Sequence, residues 1–169
     1  MSAHDPVADL IVAVPVFAPA GDTARGRVSA TTTPPGATRP DRVVVDFGWH
    51  SDSAELDLEI TTRAWPGPHP IPSQRLRAFC AERAFMQRLT HQVPARPDPA
   101  PDVQWSALDL DVDGRTTAFT VSCSADAWVA AAALHDGWLL RLFAPAAPHA
   151  LALRRITDPA DLHPLLGRS

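Results

Sequence analysis

The sequence predicts an α+β domain: a mainly antiparallel, twisted β-sheet of N-terminal strands and a C-terminal meander, with one long helix packed on it and a short C-terminal helix. Three observations carry that prediction. Asp113-Gly114 and Asp136-Gly137 each separate two apolar runs, the strongest short-range signal for a β-hairpin. Ser73 to His91 contains neither Gly nor Pro and is rich in good helix formers. Leu56, Leu58 and Ile60 alternate with Glu55, Asp57 and Glu59, the two-residue period of a half-buried strand.

From the N-terminus, Leu10, Val12, Val14 and Val16 recur at every second position. That period predicts a strand between Val7 and Phe17, placed at a sheet edge because Pro15 has no amide to donate. Gly26 to Thr33 is a weaker strand, stopped by the Pro34-Pro35-Gly36 turn. Val43 to Trp49 forms another and pairs with the Leu56–Ile60 segment through a hairpin near His50 to Ser53. Four prolines between Pro66 and Pro72 remove ladder donors and make a rigid crossover loop.

The following helix starts at Ser73 as N-cap, and Leu76, Phe79, Cys80 and Met86 share one face of it. Pro94, Pro97, Pro99 and Pro101 make an extended connection within one domain spanning residues 1–169. The meander has strands Trp105 to Val112, Thr116 to Cys123, Trp128 to Leu134, Trp138 to Ala144 and Leu151 to Ile156. Ala127 and Val129 to Ala133 are small and apolar throughout, so that strand is buried on both faces, with the helix above Val129, Ala131 and Ala133. Asp158 caps a last helix with Pro159 in its first position, which Pro164 keeps short.

Composition narrows the function. All 15 basic residues are Arg and Tyr is absent, a pattern of G+C-rich coding that makes the Arg excess weak evidence for phosphate recognition. The net charge of −4 lacks the clustered basic excess of a nucleic-acid binder, so no nucleic-acid partner is expected. The run Leu10–Val14 follows acidic residues and is broken by Pro15, unlike a signal peptide, and no stretch reaches the length of a membrane span. Cys80 and Cys123 read as two core thiols of a cytoplasmic protein.

The chemical signals are few. Asp109, Asp111, Asp113 and Gly114 resemble half of a calcium loop, but the twelfth position holds Thr120 where a bidentate Glu is needed. The segment is an amphipathic strand entering a turn, and no metal is assigned. Asp109 and Asp111, together with Glu55, Asp57 and Glu59, suggest an acidic sheet face. That face is either neutralised internally by Arg42, Arg63 and Arg115 or used to dock a basic partner.

Arg83 sits in the apolar arc of the helix, where it must snorkel, find a carboxylate or recognise an anion. Trp49 and His50 end a strand and are either a hairpin tip or part of a pocket with Arg83. Cys80 has Arg77 and Arg83 near it in sequence, the neighbourhood a reactive thiol needs, although it belongs to the buried helical face. Nucleophile elbows, zinc-protease pairs and Cys-x-x-Cys are all missing from the sequence. The expected function is therefore a non-catalytic protein-interaction module, binding another protein or a second copy through a sheet edge or the acidic face, without a cofactor. The alternative is a small-molecule-binding or enzymatic domain with a Trp-lined pocket between helix and sheet.

Overall fold

The computed structural model describes residues 5–21, 26–31, 39–47, 58–90 and 103–164. In chain order they form α1 (Pro6–Ala13), β1 (Phe17–Pro19), β2 (Gly26–Thr31), β3 (Arg42–Phe47), β4 (Leu58–Ala64) and α2 (Ser73–Thr90). Then come β5 (Gln104–Val112), β6 (Arg115–Cys123), β7 (Trp128–Ala133), β8 (Trp138–Ala144), β9 (Leu153–Arg155), a 3-10 turn at Pro159–Asp161 and β10 (Leu162–Pro164). All ten strands belong to one sheet, ordered β1-β9-β5-β6-β7-β8-β4-β3-β2-β10.

This corrects the α+β expectation, because the protein is mostly β and its mixed sheet curls into a half-barrel with the helices as minor elements. Two parallel contacts break the antiparallel scheme: β10 with β2, and β5 with β9 at Val112 and Leu153. The fifth strand of the expected meander does not lie beside β8. That edge is filled by β4, in register from Glu59 opposite Phe143 to Ala64 opposite Trp138, whereas the three residues of β9 pair with β1 and touch β5.

The first element is also corrected, from edge strand to helix. Asp5 caps α1 by accepting from the amides of Val7 (2.9 Å) and Ala8 (3.4 Å), and Pro6 supplies the φ a first turn requires. Val7 and Ile11, one turn apart, are buried, while Val12 is 84% exposed. A strand would have buried Leu10, Val12, Val14 and Val16 together. At the other end, Asp158 and Pro159 do start a turn, but it lasts three residues before the chain enters β10.

The two Asp-Gly dipeptides lie in the turns between β5 and β6 and between β7 and β8. Asp113 (φ 54°), Gly114 (φ 77°) and Gly137 (φ 79°) take left-handed backbone there, which those residue types tolerate. One core cluster draws Val28, Val45, Leu58, Val112, Phe119, Trp128, Leu142 and Leu153 together with Val7 and Ile11 of α1. Only the concave side of a curled sheet can bring such distant strands into contact, so α1 packs into the open interior of the curl. On the opposite face Phe79 and Cys80 of α2 pack against Val129, Ala131, Leu139 and Phe143. Met86, expected on that buried face, is exposed.

Candidate functional site

Cross-strand partners share a sheet face, and this rule assembles a charged patch beneath the second half of α2. Arg63 lies opposite Arg42 and Leu139, Thr61 opposite Val44 and Arg141, and Glu59 opposite Asp46 and Phe143. Above them the helix contributes Glu82 and Arg83. Arg83 grips Glu59 through two hydrogen bonds, Nε to Oε1 at 2.8 Å and Nη2 to Oε2 at 3.0 Å, and its guanidinium lies 3.9 Å from the centre of the Phe143 ring. Both side chains are 17% exposed.

Glu82 gathers three guanidiniums around one carboxylate. Arg42 Nη2 donates to Oε1 at 3.1 Å, Arg63 Nη1 donates to Oε2 at 3.3 Å, and Arg141 Nη1 is 3.9 Å from Oε2. Arg141 forms the floor: it is 5% exposed, donates to the Phe79 carbonyl at 2.9 Å and lies 4.3 Å from the centre of that ring. Burial pulls its guanidinium down to about 10, against the opposing pull of Glu59 and Glu82. It remains charged at neutral pH.

Asp109 and Asp111 stand on β5 and are exposed. Strands β6, β7 and β8 separate β5 from β4, so these two carboxylates and Glu59 do not form one continuous acidic patch. Asp111 Oδ1 accepts from the Gly114 amide at 2.7 Å, and Asp113 Oδ1 accepts from the Arg155 amide at 3.3 Å, so two of the three carboxylates of the apparent calcium loop tie down the turn. Glu55, Asp57, Trp49 and His50 lie outside the described residues.

Strand β5 has a further property. It pairs with β6 along its whole length, yet with β9 only at Val112. Among the described residues its other edge is open from Gln104 to Leu110. With a two-residue turn closing on Val112 and Arg115, the ladder alternation directs the amides and carbonyls of Trp105, Ala107 and Asp109 to that open side. From Gln104 to Asp109 the strand is also exposed on both faces, including Trp105 (38%) and Leu108 (40%), before Leu110 and Val112 enter the core. Arg77 of α2 covers one side of the Trp105 ring at 5.2 Å.

A cavity of about 260 Å³ opens at the rim of the curl, lined by Phe17, Arg115, His135, Asp136, Trp138 and Arg155 among others. It lies at the hairpin turns and not between helix and sheet, and Arg83 is not in its wall. Cys80 has no exposed surface, and its Sγ faces the carbonyls of Thr120 (3.7 Å) and Val129 (3.9 Å). Burial pushes that thiol up to about 12, so it is a packing group and not a nucleophile.

Sequence reasoning singled out Arg83 and Glu59 separately but did not pair them, and it passed over Glu82 and Arg141. Arg141 had a readable signal, being the one charge in the apolar run Trp138 to Ala144. Among the described residues no helix is long and apolar enough to cross a membrane, and no group of three His, Cys, Asp or Glu could hold a metal ion. Compared with known protein families, curated proteins and solved structures, the chain matches none.

Proposed function

We propose that this chain is a non-catalytic interaction module of the cytoplasm that receives an extended, basic segment of a partner protein as an added strand on β5. The edge of β5 from Gln104 to Leu110, open among the described residues, is the observation that carries the reading. Exposed edges invite pairing, and natural sheets usually blunt them with proline, bulges or covering elements. β5 contains no proline, and its register with β6 runs from Gln104 opposite Cys123 to Val112 opposite Arg115 without a bulge. Asp109 and Asp111 favour basic side chains on the incoming strand, and Trp105 and Leu108 offer apolar area on either face.

Ala107→Pro tests this directly, because its amide points to the open edge, so proline removes a donor there and leaves the β5–β6 ladder intact. In a display selection with extended peptides, the wild-type chain is expected to enrich basic sequences of alternating polarity. Ala107→Pro, and separately Asp109→Arg, should abolish that enrichment while leaving the melting temperature near that of the wild type. Selection of peptides that bind equally to Ala107→Pro would sink the proposal. A dimer in solution that Ala107→Pro dissociates would assign the same edge to a second copy.

The small-molecule alternative has one observation in its favour, the rim cavity with its Arg115 and Arg155 guanidiniums and the His135 imidazole. Its volume of about 260 Å³ falls below the range of roughly 300–1,000 Å³ for drug-sized ligands, which is why it stands second.

A further inference from the structure

The geometry points to a phosphate-binding site in the cluster of Arg42, Arg63 and Arg141, in which the Glu82 carboxylate occupies the position of the anion when no ligand is bound. The first support is charge. Among the described residues, Arg42, Arg63 and Arg141 gather about the single carboxylate of Glu82, three positive charges against one in a partly desolvated place. Arg42 and Arg63 are moreover directly opposite each other on neighbouring strands, an arrangement that costs stability unless an anion lies between them.

The second support is unmet hydrogen bonding. Arg141 Nε and Thr61 Oγ1 are buried without a partner, and these residues sit opposite one another at the same rung. Arg42 Nε is likewise buried without one. A buried donor left unsatisfied costs about 1–3 kcal/mol, so three polar groups at one spot mark a place built for a ligand with several acceptor oxygens. A carboxylate has two oxygens and one charge. A phosphoryl dianion has more acceptors, matches the guanidinium fork and balances the surplus.

Access is also provided. Arg141 forms the buried floor, whereas Arg63 and Glu82 are close to half exposed, so the Glu82 side chain can swing from the cluster into water without moving the helix. The site is therefore self-plugged: Glu82 neutralises the guanidiniums in the free chain and competes with the ligand. This inference does not rest on β5, which lies beyond β6, β7 and β8 from the β4 side of the cluster.

The test is calorimetric titration with inorganic phosphate, and in parallel with glycerol 3-phosphate, in a buffer free of phosphate and sulfate. Glu82→Gln should bind at least about tenfold more tightly than the wild type, since it removes the competing charge. Arg63→Gln, in the wild type and in the Glu82→Gln background, should weaken binding at least about tenfold. Tighter binding of the monoester would identify an organic phosphate as the ligand, and equal binding would identify the free ion. Absence of binding to a folded Glu82→Gln chain, or binding that ignores Arg63→Gln, overturns the site. Should Glu82→Gln not fold, phosphorus NMR of inorganic phosphate with the wild-type chain decides: line broadening relieved by Arg63→Gln supports the site, and an unchanged line overturns it.

Discussion

Arg83 and Glu59 meet in a forked ion pair between α2 and β4, with both of its hydrogen bonds at 3.0 Å or less and the Phe143 ring behind the guanidinium. Neither side chain is free in solvent, and each is what allows the other to be where it is. Removing one partner of such a pair leaves the other desolvated and uncompensated, whereas removing both restores balance.

Glu59→Gln and Arg83→Gln should accordingly each destabilise the chain by about 1–3 kcal/mol, and the double variant by clearly less than their sum. Urea unfolding of the four proteins measures the coupling. Strict additivity would mean that the pair contributes nothing beyond its separate contacts.

The helix at the N-terminus makes opposite predictions for neighbouring positions. Ile11 is buried in the concave core and Val12 points to water. Ile11→Ala should cost about 2–4 kcal/mol, while Val12→Asp should stay within about 0.5 kcal/mol of the wild type. Thermal unfolding monitored by circular dichroism checks both. A large loss from Val12→Asp would restore the strand reading of this segment.

Alkaline pH offers a clean view of Cys80, because the chain has no Tyr and no Lys to titrate in the same range. The folded thiol holds its proton to about 12, but its ordinary value is 9.0, so above pH 9 the unfolded chain carries fewer protons. Stability is complete below pH 9 and falls as the pH rises from there, by at most about 1.4 kcal/mol per pH unit for one proton. Above about 10 the lowered Arg141 guanidinium acts with the opposite sign, since the folded chain then releases its proton first, and the decline should level off. Cys80→Ala should abolish the fall between pH 9 and 10 in urea titrations. A slope unchanged by that variant would mean the thiol ionises in the fold as easily as out of it.

How much of the site was readable follows from the range of the interactions involved. Arg83 stood out because it interrupts a helical apolar arc, and Asp109 and Asp111 because they alternate with apolar residues on β5. The pairing of Arg83 with Glu59, and the gathering of Arg42, Arg63 and Arg141 about Glu82, depend on which strands become neighbours. The row of Glu55, Asp57 and Glu59 had the period of a solvent-facing set, yet Glu59 faces α2, because the helix covers that side of β4.

The sequence by itself determined the local events. The turns at Asp113-Gly114 and Asp136-Gly137, and the strands they join, rest on backbone preferences that act within a few residues. Only the tertiary structure decided the rest. Leu10 to Val16 fits a two-residue period as well as Val7 and Ile11 fit a helical one; Asp5 and Pro6 are a local helix start, and the concave interior that buries Val7 and Ile11 made the choice. The places of β9 and β10 at distant edges, and the parallel contacts they make, follow from the curl of the sheet, which brings residues far apart in the chain within hydrogen-bonding reach and leaves no periodic trace in the sequence.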